Sequence, residues 1–88
     1  MKPGVLERKI RKIVEYSRDK QPMLRIIKNN GESKFGEYIQ LGIIEGGGRA
    51  LFTRDSGISV YPLREISGVE YISKSIACYA LNRSLIFN

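Results

Sequence analysis

The stretch that decides the fold covers residues 23–44 and reads MLRIIKNNGESKFGEYIQLGII. Its first run, Met23 to Lys28, is short and rich in β-branched residues, as strands usually are. Asn30-Gly31 then supplies the dipeptide that best suits the positive φ angles of a type I′ hairpin turn. In the second run, apolar side chains recur at every second position from Ile39 to Ile43, which is the period of a strand. The stretch therefore predicts a β-hairpin.

The same pattern continues toward the C-terminus. Glycine-containing turns separate further short apolar runs at residues 49–53, 58–61 and 69–72, and a last apolar run, 76–87, predicts a terminal hairpin. Strands of this length and spacing are typical of one small, strongly bent antiparallel sheet or barrel. Gly36 and Gly42 lie inside the second strand, where they indicate the bends or the bulge that a tightly curled sheet requires.

A helix is predicted in front of the sheet, over residues 5–18. Leu6, Ile10, Ile13 and Val14 lie at i, i+4, i+7 and i+8, on one helical stripe. On the opposite face, Arg11 is four residues from both Glu7 and Glu15 and can pair with either. Gln21-Pro22 ends the helix, because a residue before proline is pushed toward extended geometry. We expect the apolar stripe to dock on the sheet and a basic face to point outward.

Charge is concentrated at the N-terminal end of this single 88-residue domain. The chain has 15 Lys and Arg against 9 Asp and Glu, a formal net charge of +6. The first 20 residues hold seven basic and three acidic side chains, so +4 of that charge lies there and +2 in the other 68. Such a field is the electrostatic signature of polyanion binding. The alternative is that lysine and arginine merely solvate the outer face of a helix.

The residues that enzymes and metal sites require are largely missing. The chain has no histidine and one cysteine, Cys78, in an apolar run typical of a buried structural thiol. Gly46-Gly47-Gly48 is followed by Arg49-Ala50 instead of the Lys-Ser/Thr that completes a phosphate-binding loop, so it predicts a hairpin loop. The carboxylates show no ligand spacing. We therefore expect no enzyme activity, no cofactor and no metal.

The expected location is the cytoplasm, and a membrane is not an expected partner. No apolar run approaches the roughly 18 residues of a membrane span, and the N-terminus lacks the apolar core of a signal peptide.

Tyrosines and arginines alternate along the predicted strands. Tyr38, Tyr61 and Tyr71 lie on or beside strands, among Arg25, Lys28, Arg54 and Arg64. Exposed tyrosines on a curved basic sheet can stack on unpaired bases. The alternative is that the rings seal the core and leave only the hydroxyl groups at the rim.

Two segments resemble the Sm-like family, which includes bacterial RNA chaperones. Residues 30–39, NGESKFGEYI, resemble its Asn-Gly-x-x-x-x-Gly-x-Ile element, and residues 60–67, VYPLREIS, resemble its second element. The order of an amphipathic helix followed by five strands is also that of the family, and the resemblance covers about residues 5–72. It implies an α+β fold with the N-terminal helix on a five- to seven-stranded Sm/SH3-like barrel, spanning residues 23–88. It also implies RNA binding. An SH3-like barrel of another lineage has nearly the same pattern.

Two functions follow as hypotheses. The first is a small, non-enzymatic regulatory protein that binds nucleic acid, with RNA slightly favoured over DNA. Its predicted contacts are Arg8, Lys9, Arg11, Lys12, Lys28, Tyr38, Arg54 and Tyr61. The second is an SH3-like protein-interaction or assembly module within a larger complex, binding a protein partner or further copies of itself. The apolar residues Leu85-Ile86-Phe87 and possible edge strands motivate it, because an exposed edge recruits strands from partners.

Overall fold

The computed structural model describes residues 2–17 and 21–72. A helix, α1 (Pro3–Ser17), comes first, followed by β1 (Met23–Lys28), β2 (Ser33–Ile43), β3 (Arg49–Arg54), β4 (Ile58–Pro62), a 3₁₀ turn (Leu63–Glu65) and β5 (Ile66–Ile72). The predicted α+β class, the N-terminal helix and the five strands up to residue 72 are confirmed. The helix begins two residues earlier than predicted, because proline suits the first helical position. Cys78 and the predicted terminal hairpin lie outside the described residues.

The five strands form one antiparallel sheet in the order β4-β3-β2-β1-β5. Among the described strands, β4 pairs only with β3 and β5 pairs only with β1. The prediction of a barrel is therefore wrong for the described residues, because the sheet is open at both of these edges. Closure needs a ladder between β4 and β5, and the chain instead passes from one to the other through the 3₁₀ turn.

The sheet is nonetheless strongly bent. Only Leu63–Glu65 separates the end of β4 from the start of β5, and four such Cα steps span at most about 14 Å. In a flat sheet, edge strands with three strands between them would lie about 19 Å apart. Register shifts between Tyr38 and Gln40 and between Ile27 and Lys28 supply part of the bend. The first shift falls between the two glycines of β2, not at either of them.

Each of these two glycines instead accommodates a neighbouring side chain. A Cβ atom at Gly36 would lie 2.9 Å from both Cβ and Oγ1 of Thr53, which is fully buried. A Cβ atom at Gly42 would lie 2.8 Å from the ring of Phe52. Gly31, by contrast, is required by its backbone, since its φ is 86° in the hairpin between β1 and β2. A tight turn is confirmed here, but the Gly31 N–H donates to the Lys28 carbonyl, so Asn29 and Asn30 are its central residues. It is therefore a three-residue hairpin loop that ends in Gly31, not the predicted type I′ turn centred on Asn30-Gly31.

The core lies between α1 and the sheet. Leu6 and Ile10 of the helix are fully buried, and Ile13 and Val14 pack against the same cluster, so the predicted apolar stripe is confirmed. The cluster also contains six residues from β1, β3, the 3₁₀ turn and β5: Leu24, Ile26, Leu51, Leu63, Ile66 and Val69. Burying a side chain of this kind contributes roughly 1.5–3 kcal/mol. The helix contacts β5 and the 3₁₀ turn, which fixes the direction of its opposite face.

Candidate nucleic-acid interface

The face of α1 that points away from the core carries the candidate site. Arg8, Lys9, Lys12, Glu15 and Tyr16 are all exposed there, and we call this set the outer helix face. Lys12 is three or four residues from each of the other four, so its side chain neighbours theirs on the helix surface. Because Leu6 and Ile10 hold the helix on the core, this face is presented on a fixed support.

The three cations of the outer helix face have no carboxylate partner in the part of the chain that the structure describes. Within residues 2–17 and 21–72, none of Arg8, Lys9 and Lys12 forms an ion pair. Arg8 only donates a long Nε–H bond of 3.4 Å to the Gly4 carbonyl. These side chains can therefore pair with an external anion without first breaking an ion pair to another described residue.

Arg11 is on the same helix but is differently placed. Its Nη2 donates to Glu7 Oε1 at 3.0 Å, and Arg49 of β3 donates to the same oxygen. The hydrogen bond from Arg49, then that from Arg11, lowers the pKa of Glu7 below its ordinary value. The predicted site residue Arg11 is thus held by a carboxylate that also ties the helix to the sheet.

Lys28, predicted as a phosphate contact, lies at the hairpin between β1 and β2. Its Nζ is 3.9 Å from Glu32 Oε2, and Lys34 Nζ is 2.7 Å from the other oxygen of the same carboxylate. The hydrogen bond between Lys34 and Glu32 lowers the pKa of Glu32 and raises that of Lys34. The charge of Lys28 is therefore shared with an acidic neighbour.

The two predicted stacking residues lie against the core. Tyr38 and Tyr61 are both half-buried and pack on the apolar cluster, which is the alternative that the sequence left open. Arg54 is exposed at the end of β3, five residues from Arg49 and so about 17 Å along the strand from the tie to the helix. The structure therefore brings together only the four predicted residues of α1 and does not place Arg54 beside them.

Sequence reasoning missed one residue of this surface, Tyr16. Its side chain is 91% exposed, and it follows Lys9 and Lys12 at spacings of seven and four residues. That spacing was readable once the helix was predicted through residue 18.

Comparison with protein-family models, with curated proteins and with solved structures found no match. Over the described ranges, no helix combines the length and the apolar character needed to cross a membrane.

Proposed function

We propose that this chain is a small, non-enzymatic, cytoplasmic regulatory protein that binds nucleic acid through the outer helix face. The observation that supports it best is the distribution of ion pairs. Among the described residues, a carboxylate lies within 4 Å of Arg11, Arg25, Lys28, Lys34 and Arg49, but of none of Arg8, Lys9 and Lys12. Lys2, Arg54 and Arg64 also have no ion pair there, but only α1 places three such cations within four residues of one another. Unpaired cations that can neutralise phosphates supply most of the affinity of non-specific binding.

RNA is the favoured ligand, because residues 5–72 resemble the Sm-like family. Arg8, Lys9 and Lys12 contact the phosphate groups. Arg11 contributes less to the positive potential of this face, because the Glu7 carboxylate offsets part of its charge. A helix that is already folded and docked does not lose further backbone entropy on binding, which favours affinity.

The test neutralises three basic side chains of the helix and compares the result with a matched control variant. The variant Arg8→Gln/Lys9→Gln/Lys12→Gln removes three unpaired charges, and the control Arg25→Gln/Lys28→Gln/Lys34→Gln removes three paired charges from the sheet. Fluorescence anisotropy with labelled single-stranded RNA, single-stranded DNA and duplex DNA is recorded over a range of salt. Three phosphate contacts on a single strand give a slope of log K against log salt of about −2.

The helix variant is expected to lose that slope and the control to keep most of it. Equal losses in both variants would mean that only net charge matters and that the outer helix face is not the site. The absence of binding by the unmodified chain at low salt would refute the proposal.

A second candidate, an assembly or protein-interaction module, is favoured by the open edge at β4. Ile58 and Val60 lie on this strand with 66% and 44% of their surfaces exposed, and β4 pairs on one side only among the described strands. Such an edge offers unpaired backbone groups beside an apolar surface. If it recruits a partner or another copy, Ile58→Lys/Val60→Lys lowers the mass measured by light scattering, whereas Ser59→Lys, at the position between them, has a smaller effect. If the unmodified chain and both variants all have the mass of a monomer, self-assembly through β4 is excluded.

A further inference from the structure

Tyr16 differs from the other exposed apolar side chains of the described residues in its degree of exposure and in its neighbours. Its 91% exposure compares with 42–66% for the others, which are Val5, Phe35, Ile43, Ile58, Val60 and Tyr71. Tyrosine usually buries its ring and leaves only the hydroxyl group in water. Here both faces of the ring are open to solvent beside Lys12, which is one helical turn earlier.

The position of the Tyr16 ring relative to Lys9 and Lys12 is set by the helix. Lys9, Lys12 and Tyr16 follow at i, i+3 and i+7, so they lie on one side of α1 over about 10 Å of helix axis. The docking of Leu6 and Ile10 and the ion pair between Glu7 and Arg49 prevent the helix from rotating about this axis. A strand whose phosphates lie on Lys9 and Lys12 therefore reaches the ring with its next nucleotides.

A cationic row that ends in an open aromatic ring matches one chemical class of ligand. Phosphate contacts alone do not distinguish a single strand from a duplex, because both present the same charged groups. An aromatic ring does, since every base has a π face and only unpaired bases are free to stack on a side chain. In a duplex those faces are occupied by neighbouring base pairs.

We propose that Tyr16 is a base-stacking residue, and that it makes the outer helix face select single-stranded nucleic acid over duplex. This inference rests on the proposed function and deepens it. An anionic membrane surface fits the helix less well. An interfacial helix inserts its apolar face into the lipid, and Leu6 and Ile10 of α1 are already fully buried in the core.

The test compares Tyr16→Leu with Tyr16→Phe, which keeps the ring, and with Tyr71→Leu, which removes a half-exposed tyrosine from β5. The probes are a labelled single-stranded RNA of about 16 nucleotides, which is the upper end of known single-strand site sizes, its blunt duplex, and the same strand with abasic sites. Anionic phospholipid vesicles serve as the membrane probe, and circular dichroism shows that each variant is folded.

Loss of one stacked base is expected to weaken single-strand binding about 5- to 150-fold in Tyr16→Leu. Tyr16→Phe and Tyr71→Leu should bind like the unmodified chain. The abasic strand should bind the unmodified chain as weakly as the intact strand binds Tyr16→Leu. Duplex binding and the salt slope should not change, because no phosphate contact is lost.

The inference fails separately from the proposed function. If Tyr16→Leu binds the single strand normally while Arg8→Gln/Lys9→Gln/Lys12→Gln does not, the cations alone form the site and the stacking role is wrong. Equal weakening of duplex and single strand by Tyr16→Leu, or vesicle binding that depends on Tyr16, would also overturn it. If the unmodified chain binds none of the nucleic acids, both proposals fall together.

Discussion

Replacing Glu7 with glutamine should lower stability and strengthen nucleic-acid binding at the same time. The Glu7 carboxylate accepts hydrogen bonds from Arg11 of its own helix and from Arg49 of β3. The substitution keeps the size of the side chain but removes its charge, so both arginines lose their ion pair and retain only a neutral amide oxygen as acceptor. The first contact is local, and the second joins elements 42 residues apart in the sequence.

The loss of stability is modest because the pairs are only partly buried. The side chains of Glu7 and Arg49 are 21% and 36% exposed, and that of Arg11 is 61% exposed. An exposed pair at i, i+4 contributes about 0.3–0.5 kcal/mol, and a surface pair at most about 1 kcal/mol. The free energy of unfolding should therefore fall by about 1 kcal/mol, which lowers the Tm of a domain this small by about 4–8 °C.

The stability difference has a defined dependence on pH. The arginines lower the pKa of Glu7 from its ordinary value of 4.5, so the folded state favours the charged carboxylate. Its contribution is complete above pH 4.5, and it is lost as the pH falls through the lowered pKa. Urea unfolding should show the original chain more stable than Glu7→Gln at pH 7, with the difference disappearing in strong acid.

Binding should change in the opposite direction. Without the Glu7 charge, Arg11 becomes a fourth uncompensated cation beside Arg8, Lys9 and Lys12, which steepens the single-strand salt slope from about −2 to nearly −3. Glu45→Gln is the control, since it changes net charge equally at an exposed carboxylate that has no ion pair among the described residues. It should alter neither stability nor slope. Normal stability of Glu7→Gln at pH 7, or a shallower slope, would refute this account of the Glu7 contacts.

Three further predictions concern single sites. Thr53→Val should raise the free energy of unfolding by about 1 kcal/mol, because the buried Oγ1 has no hydrogen-bond partner within the described part of the chain; lower stability in urea would contradict this. Gly36→Ala should cost about 1–3 kcal/mol by overpacking against Thr53, whereas Gly42→Ala should cost less because the Phe52 ring can swing aside; thermal melts that reverse this order would refute the explanation. Glu15→Gln should tighten RNA binding about twofold, since it removes a carboxylate one helical turn from Lys12; anisotropy at low salt would detect the change, and unaltered affinity would place the ligand elsewhere.

Local sequence patterns were sufficient for the elements of the fold but not for the closure of the sheet. Gly31 marks a tight turn because few other residues adopt its positive φ, and the stripe that includes Leu6 and Ile10 leaves water only by packing on the sheet. Whether β4 pairs with β5 depends instead on how far the whole sheet bends. That bend is the sum of the twist at every strand and two register shifts, so no single segment encodes it.

The site was only partly predictable for a similar reason. The pair between Glu7 and Arg11 follows from a spacing of four residues and was anticipated. Arg49 reaches the same carboxylate from β3, and this contact exists only after the helix has docked. Tyr38 and Tyr61 were candidates because their strands are basic, but their inward direction depends on the register of β2 and β4 against the strands that cover the core.

The distribution of charge after folding is therefore more informative than its amount. A net charge of +6 is compatible with unpaired cations scattered over the whole surface, and equally with unpaired cations clustered on one face. Here folding places carboxylates beside Arg25, Lys28 and Lys34 on the sheet. Within residues 2–17 and 21–72 it leaves the three neighbouring cations of the outer helix face without one, and Arg54 at the end of β3 is unpaired but not part of that group. A polyanion therefore binds the outer helix face with the greater gain in free energy, because it displaces no described carboxylate from those cations. The same sorting predicts that removing a carboxylate from α1 changes binding more than removing one from the sheet, although both change the net charge equally.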